Sequence, residues 1–187
     1  MSRTESTMLA LGTIAPEFSL FDTVTEKTIN LQTLKGDEGT VIMFICNHCP
    51  FVIHVNEELV RLANLYQSKG IGFIAISSNY VKDYPQDGPD IMKLKAAELG
   101  YTFPYLHDAT QKVAKDYKAA CTPDFYFFGG DLKLLYRGQL DDSRPNNGKP
   151  VTGYDLRNAM DTHLSTGEIV QIQKPSIGCN IKWAPTV

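Results

Sequence analysis

The sequence has no long apolar run and no dense cluster of basic residues, and each absence excludes a class of function. No stretch reaches the roughly 18 apolar residues of a transmembrane helix, so a membrane partner is not expected. The net charge is -3 and Lys and Arg are scattered, so nucleic acid is not an expected partner either. The first eleven residues lack the apolar core of a signal peptide, and we therefore expect a cytoplasmic protein with reduced thiols.

Cysteine is also scarce, with four residues in a chain of 187. A chain of this length buries roughly 70% of the surface that its unfolded form exposes, so it needs no disulfides to hold a core. Four cysteines in a reducing compartment therefore indicate redox or metal chemistry. The sequence has no repeat or low-complexity linker. We expect a flexible segment over residues 1–10, one domain over 11–167, and a docked tail over 168–187 that carries the lone Trp183.

Apolar strands and helical periodicity alternate in the first half of the chain. Residues 40–45 and 71–77 are apolar and rich in β-branched side chains, which is typical of strands buried on both faces. Residues 51–69 between them carry apolar side chains at helical spacing, which predicts a β-α-β unit with parallel strands. Residues 125–128 and 132–136 flank a Gly-Gly-Asp turn and predict an antiparallel hairpin. The pattern predicts an α/β fold with a central mixed sheet and flanking helices.

Cys46 and Cys49 lie where the first of these strands meets the helix, with His48 between them. The free amide groups of a helix N-terminus favour an anion, so we expect a thiolate at Cys46, the attacking species in disulfide exchange. A protonated His48 would favour that thiolate further. A Cys-x-x-Cys pair between a strand and a helix is typical of a thioredoxin-like redox site. Two inert core thiols and a metal site are the alternatives.

Thr122 and Pro123 precede the first strand of the hairpin. Together with the cysteine pair, this arrangement resembles the thioredoxin superfamily. The resemblance implies that Pro123 is a cis-proline facing the two cysteines, and that the backbone of Thr122 pairs with a bound substrate. An ordinary trans proline that opens a strand is the alternative.

The resemblance can be narrowed to the redoxin branch, the alkyl hydroperoxide reductase/thiol-specific antioxidant proteins. It covers residues 11–183 and is similar to redoxin-domain proteins that share five motifs. These are Gly-x-x-Ala-Pro-x-Phe-x-Leu at 12–20, Cys-Asn-His-Cys-Pro at 46–50, Cys-Thr-Pro-Asp at 121–124, Arg-Gly-x-x-Asp-Asp at 137–142, and Gly-Cys-x-Ile-Lys-Trp at 178–183. The resemblance implies a thioredoxin-like fold with an N-terminal extension and a C-terminal tail, and an antioxidant-type redox activity.

Two departures from these families affect the expected chemistry. Peroxiredoxins hold peroxide with a Pro-x-x-x-Thr-x-x-Cys frame, and the residues before Cys46 supply neither the proline nor the threonine in that register. This argues against peroxidase activity. Thioredoxins carry a tryptophan where this chain has Ile45, and a buried acid on the central strand that residues 40–45 lack. His48 or a residue from elsewhere must therefore assist the second cysteine.

The other two cysteines have several possible roles. Cys121 lies two residues before Pro123, and Cys179 lies in the tail, which we expect to dock near the cysteine pair together with Lys182. Three alternatives remain open for Cys121 and Cys179. They form a second redox pair, they resolve a mixed disulfide at Cys46, or they join a metal site. For Cys121, the structural alternative is a small buried core residue.

Arg137 begins a charged segment that also holds Asp141, Asp142 and Arg144. Clusters of this kind are mostly solvated ion pairs worth about 0–1 kcal/mol each. The functional alternative is that Arg137 and its neighbours bind a polar substrate.

These residues predict a thiol–disulfide oxidoreductase. Cys46 attacks a substrate disulfide, Cys49 resolves the mixed disulfide, and Thr122 and Pro123 align the substrate. The expected partners are a protein or small-molecule disulfide or peroxide and a thiol electron donor, with no cofactor or metal, in a monomer or homodimer. Two alternatives remain: an atypical thiol peroxidase with Cys46 as the peroxidatic residue, and a copper-chaperone-like protein that binds metal through thiolates.

Overall fold

The computed structural model describes residues 3–185, which form five α-helices and ten strands. The helices are α1 (Leu31–Leu34), α2 (Pro50–Gln67), α3 (Pro89–Leu99), α4 (Lys112–Asp116) and α5 (Tyr154–Thr166). The strands are β1 (Arg3–Glu5), β2 (Ser19–Asp22), β3 (Lys27–Asn30), β4 (Gly39–Phe44), β5 (Ile71–Ser77), β6 (Tyr105–His107), β7 (Cys121–Thr122), β8 (Asp124–Gly129), β9 (Leu134–Gly138) and β10 (Ile177–Asn180). Within residues 3–185, no helix has both the length and the hydrophobicity that crossing a bilayer requires.

Seven strands form the main sheet, in the order β3-β2-β6-β5-β4-β8-β9. Strand β5 pairs in parallel with β4 and with β6, and helix α2 connects β4 to β5. Strand β8 pairs antiparallel with β4 and with β9. The predicted β-α-β unit and the predicted hairpin are both present, and the α/β fold with a mixed central sheet and flanking helices is confirmed.

Side chains of β4 alternate between two core clusters on opposite faces of the sheet. Val41 and Met43 belong to the cluster under α2, and Ile42 and Phe44 belong to the cluster on the other face. Helix α2 contributes an apolar stripe at three- and four-residue spacing, formed by Val52, Val55, Leu59, Leu62, Ala63 and Tyr66. Truncating a buried leucine of this stripe to alanine costs about 2–5 kcal/mol. This packing fixes the N-terminus of α2, where the two neighbouring cysteines lie.

The two ends of the described chain form a second, three-stranded sheet in the order β1-β10-β7. The sequence predicts a flexible segment over residues 1–10, and the structure differs over Arg3–Glu5, which pairs antiparallel with β10. The physical reason is that the outer edge of β10 offers unpaired backbone groups that a short strand can satisfy. On its other edge, β10 pairs antiparallel with β7, and this pairing joins the tail to the domain. Residues 1–2 and 186–187 of the two predicted terminal segments lie outside the described residues.

Candidate redox-active site

Cys46 and Cys49 lie in the turn that joins β4 to α2. Cys49 is the N-cap residue of α2, and Pro50 follows at the first helical position. Proline is favoured there because its missing N–H has no partner to lose. The carbonyl of Cys49 accepts hydrogen bonds from the N–H groups of Val52 (2.9 Å) and Ile53 (3.0 Å). The backbone thus turns sharply from a buried strand into a helix and holds both thiols at the helix N-terminus.

Thr122 and Pro123 face this turn, and the peptide bond between them is cis, as the resemblance implies. Thr122 contacts both cysteines. The Sγ atom of Cys46 lies 3.5 Å from the Thr122 hydroxyl oxygen, and the thiol of Cys49 donates to the Thr122 carbonyl oxygen at 3.1 Å. Both thiols are buried, with Cys46 2% and Cys49 0% exposed. The structure therefore brings together four residues that the sequence predicts for the site.

The pKa values of the two cysteines shift in opposite directions. A hydrogen bond from the Cys46 thiol lowers the pKa of Cys49 to about 5, helped by hydrogen bonds from Cys179 and from the Val52 N–H. The same hydrogen bond, burial and the charge of Asp87 raise the pKa of Cys46 well above its usual value. The direction of these two shifts favours the anion at Cys49, whereas the sequence predicts a thiolate at Cys46, and that expectation stays a prediction. The bond from Cys49 to the Thr122 carbonyl exists only while Cys49 keeps its proton.

His48 is held by a buried carboxylate that the sequence analysis did not identify. Its Nδ1 lies 2.6 Å from Oδ2 of Asp87, which is fully buried in the loop after β5. Asp87 also accepts hydrogen bonds from the Asn47 N–H and the Asn79 side chain, both at 2.8 Å. The ring of His48 stacks on Tyr84, with 5.3 Å between the centroids. Among the described residues, Nε2 of His48 has no hydrogen-bond partner, although it is buried.

Asp87 could not be found by pattern because it lies 39 residues beyond His48, in a polar loop with no motif. The sequence gives one indirect signal: residues 40–45 hold no acid, so His48 or a residue from elsewhere must assist the second cysteine. Asp87 lies beside His48 and Cys46. Its carboxylate lies close enough to Cys46 for its charge to disfavour the Cys46 thiolate.

Strand β10 of the tail lies directly against the site. Its Cys179 is paired across the sheet with Thr122, and its side chain is buried in the same core cluster as Cys46 and Cys49. A hydrogen bond joins Cys179 to Cys49, and this bond adds to burial in raising the pKa of Cys179 to about 12. The backbone of Thr122, which the resemblance assigns to a substrate chain, is therefore already occupied by the protein's own tail.

Cys121 and Arg137 have their hydrogen-bond partners outside the sulfur cluster, which consists of Cys46, Cys49 and Cys179. The Cys121 thiol is fully buried and donates to the Pro123 carbonyl oxygen at 3.6 Å, and burial raises its pKa. This is the environment of a packed core residue. Strand periodicity explains the separation, since adjacent residues of β7 point to opposite faces.

Arg137 belongs to a buried structural network, which corrects the expectation of a solvated ion pair or a substrate-binding residue. Its side chain is fully buried and pairs with Asp124 at 2.9 Å. It also donates to the carbonyl oxygens of Tyr117 and Lys118, both at 3.1 Å, and lies 4.1 Å from the ring centre of Tyr126. Every contact is to the protein's own framework, so Arg137 stabilises the region behind the hairpin.

One group of side chains could hold a metal ion. Single ligand atoms of Cys46, His48 and Asp87 lie within 4.8 Å of one another. The sequence predicts no metal site, with a copper-chaperone-like thiolate site as the alternative, and gives no signal that Asp87 lies here. A thiolate, an imidazole and a carboxylate are ligands that zinc accepts.

Comparison with known proteins places this site in a family. No curated protein matches the chain. Two solved structures match over nearly its full length. An uncharacterised conserved protein from Geobacillus kaustophilus has 58% identity and TM-score 0.98, over 100% of this chain and 99% of the other. A hypothetical protein from Sinorhizobium meliloti 1021 has 43% identity and TM-score 0.95, over 98% of this chain and 100% of the other.

The fold is shared more widely. The thioredoxin domain of a thiol-disulfide oxidoreductase from Bacteroides vulgatus matches with TM-score 0.62 and 17% identity, over 84% of this chain and all of the other. The family model described as the AhpC/TSA family matches residues 11–137, which include the cysteine pair and the cis-proline. The fold is therefore thioredoxin-like, and the chain belongs to the AhpC/TSA family.

Proposed function

We propose that the protein is a thiol–disulfide oxidoreductase that reacts through a mixed disulfide at Cys46. Membership of the AhpC/TSA family supports oxidoreductase chemistry in general. The observation that carries the specific proposal is the contact of Thr122 with both thiols, beside a cis-proline and at the N-terminus of α2. Because each sulfur is close to the same residue, the two thiols are placed to exchange with one substrate in turn.

The reaction begins when the Cys46 sulfur attacks one sulfur of a substrate disulfide. The proton of Cys46 passes along the existing hydrogen bond to Cys49, so the negative charge moves to the attacking atom. A bond forms between Cys46 and the substrate, and the other substrate sulfur leaves as a thiolate. Cys49 then gives this proton to His48, which has already protonated the first departing thiolate, and attacks Cys46. This releases the second substrate thiolate, which His48 protonates in turn, and leaves a Cys46–Cys49 disulfide. Two electrons have passed from the protein to the substrate.

His48 is the proton donor for the departing thiolates in this proposal. The bond to Asp87 fixes Nδ1 as the nitrogen that faces the carboxylate. This leaves Nε2, which is buried and has no hydrogen-bond partner among the described residues, as the nitrogen that exchanges the proton in this proposal. Asn47, His48, Phe51 and Tyr84 are partly exposed around the buried Cys46. With β10 already paired to Thr122, a substrate reaches Cys46 from this partly exposed side, which favours a small disulfide or a protruding loop over an extended strand.

The test is exchange by the full-length protein with insulin and with a small-molecule disulfide. We expect Cys46→Ser to reduce both reactions to the uncatalysed rate, and Cys49→Ser to accumulate a mixed disulfide at Cys46 that peptide mapping detects. Cys121→Ser is the matched control, since that thiol lies outside the sulfur cluster, and it should react like the wild type. Full activity in both Cys46→Ser and Cys49→Ser would contradict the proposal. Rapid loss of hydrogen peroxide that only Cys46→Ser abolishes would favour the peroxidase alternative.

A second candidate function is metal binding, which the grouping of Cys46, His48 and Asp87 favours. Three protein ligands with an open fourth position are typical of catalytic zinc sites. Metal analysis of protein purified without oxygen tests this candidate, with Asp87→Asn as the variant and the exposed Asp131→Asn as its control. One metal per chain that is lost only in Asp87→Asn would support it. Metal-free protein that also fails to bind added zinc or copper(I) would end it.

A further inference from the structure

The C-terminal tail covers the backbone of Thr122, the residue before the cis-proline. Strand β10 is hydrogen-bonded to β7, with Cys179 opposite Thr122 and Asn180 opposite Cys121. Gly178 makes this approach possible, because a Cβ atom there would overlap the carbonyl group of Thr122. A glycine is thus required just before Cys179 to bring the tail against Thr122.

The tail is fixed at a second point, close to the carboxylate of the site. The N–H of Lys182 donates to the side-chain oxygen of Asn79 at 2.8 Å, and the amide of Asn79 donates to Asp87 at 2.8 Å. On its other edge, β10 is covered by β1. The position of Cys179 is therefore set by backbone pairing on both sides and by a side-chain anchor three residues further on.

This arrangement gives Cys49 two sulfur neighbours. Cys49 is hydrogen-bonded to Cys46 in the turn and to Cys179 in the tail. All three side chains lie in one core cluster, with Cys179 only 4% exposed. Cys49 and Cys179 also lie against Thr122, since Cys49 donates to its carbonyl oxygen at 3.1 Å and Cys179 is paired with it across the sheet. Cys121, which points to the other face of β7, has its thiol on the Pro123 carbonyl instead.

We propose that Cys179 is a third redox-active cysteine. It exchanges with the Cys46–Cys49 disulfide to form a Cys49–Cys179 disulfide. The step rests on the proposed function, since that reaction supplies the disulfide. The Cys179 sulfur attacks the sulfur of Cys49, a Cys49–Cys179 bond forms, and the Cys46–Cys49 bond breaks. The electron pair of the broken bond stays on Cys46, which receives the proton that Cys179 loses. The chain is neither oxidised nor reduced overall, because one disulfide replaces another.

This step changes which cysteine is available after a turnover. With the oxidising equivalent stored between Cys49 and the tail, Cys46 is again a thiol. The thiol electron donor then has to reduce a bond that joins α2 to β10. The chemical class of that donor is a thiol, because only thiol exchange returns both sulfurs to the reduced state without a cofactor.

The experiment uses full-length Cys46→Ser, in which the Cys46–Cys49 disulfide cannot form. The reduced variant is treated with one equivalent of diamide, blocked with N-ethylmaleimide and mapped by mass spectrometry. We expect an intramolecular Cys49–Cys179 disulfide in most of the oxidised protein. The matched controls are Cys46→Ser with Cys121→Ser, which should form the same bond, and Cys46→Ser with Cys179→Ser, which should lose it completely. In the otherwise wild-type chain, Cys179→Ser should leave Cys46–Cys49 as the only disulfide.

The outcomes separate this inference from the proposed function. If the wild type exchanges disulfides and forms Cys46–Cys49, but Cys46→Ser yields only reduced Cys49 or dimers linked between chains, the role of Cys179 is wrong and the proposed function stands. If the wild type forms no Cys46–Cys49 disulfide and has no exchange activity, the proposed function itself fails. Circular dichroism of each variant, with Cys179→Ala as a second substitution, shows that a missing bond does not arise from misfolding.

Discussion

One buried aspartate, Asp124, follows the cis-proline and another, Asp87, lies beside His48, and their surroundings are very different. Asp124 follows Pro123 directly and pairs with the fully buried Arg137, a permanent cation. Asp87 comes from a loop and pairs with His48, whose ring nitrogens can donate or accept a proton. Both carboxylates are fully buried and both accept several hydrogen bonds. The comparison teaches that the partner, rather than burial, separates a structural carboxylate from one that can take part in chemistry.

The largest expected effect concerns the thiols beside Asp87. The ultraviolet absorption of thiolate should rise in a step near pH 5 in the reduced wild type, because Cys49 ionises with a pKa of about 5. Cys49→Ser should move the first step above about pH 8, the range of an ordinary or disfavoured thiol. Cys121→Ser should keep the step near pH 5. A step that persists near pH 5 in Cys49→Ser would place the first anion at Cys46 and undo the assignment.

The next effect concerns Asp124 and tests whether its ion pair with Arg137 stabilises the fold. Arg137→Ala leaves a buried carboxylate without its cation, and we expect the free energy of unfolding to fall by about 3–5 kcal/mol. Urea unfolding measures the loss. Lys133→Ala, which removes an exposed pair with Asp131, is the control and should be indistinguishable from the wild type. Loss of disulfide exchange without loss of stability in Arg137→Ala would instead place Arg137 in the site.

Unfolding free energies measured over a range of pH test the ionisation of Asp124 without removing Arg137. Burial, its largest cause, raises the pKa of Asp124 to about 6 in the folded state, above its value in an unfolded chain. The folded state therefore binds this proton more tightly. The resulting stability is fully present below about pH 4 and is lost as the pH rises through about 6. Relative to Asp124→Asn, the wild type should lose up to about 3 kcal/mol between pH 4 and 7. Parallel curves would show that Asp124 does not titrate in this range.

The smallest expected effect concerns Asp87. Its negative charge raises the pKa of Cys46, so Asp87→Asn should lower that pKa. In a Cys49→Ser background, where Cys46 titrates without its partner, the rate of alkylation at Cys46 at pH 7 should rise about two- to tenfold. Asp131→Asn in the same background is the matched control. An unchanged rate in Asp87→Asn would mean that the carboxylate affects Cys46 only through the position of His48.

The local parts of the fold and site could be predicted from the sequence. A β-branched run followed by helical spacing predicts β4 and α2, and the Cys-x-x-Cys pair falls at their junction because both patterns end there. Pro123 could be predicted through its resemblance to a known family, although nothing local requires a cis bond. These features depend on residues close together in the chain or on a shared motif.

The parts that could not be predicted depend on long-range packing. Asp87 approaches His48 only when the loop after β5 folds back, and Cys179 meets Cys49 only because β10 pairs with β7 in one register. The lowered pKa of Cys49 depends on hydrogen bonds from Cys46, Cys179 and the Val52 N–H, whose distances the sequence does not give. Pairing of β1 with β10 joins residues that are more than 170 positions apart, and no periodicity in three residues could reveal it.

The pairing of β1 with β10 also has a practical consequence for anyone who handles this protein. Arg3 is paired with Cys179, so changes to the first strand act on the strand that carries one of the sulfurs of the site. Trimming the chain up to Ser6 removes the cover of β10 and loosens the segment that carries Cys179. Recombinant preparations that differ only in their first few residues should therefore differ in how readily their cysteines oxidise during storage.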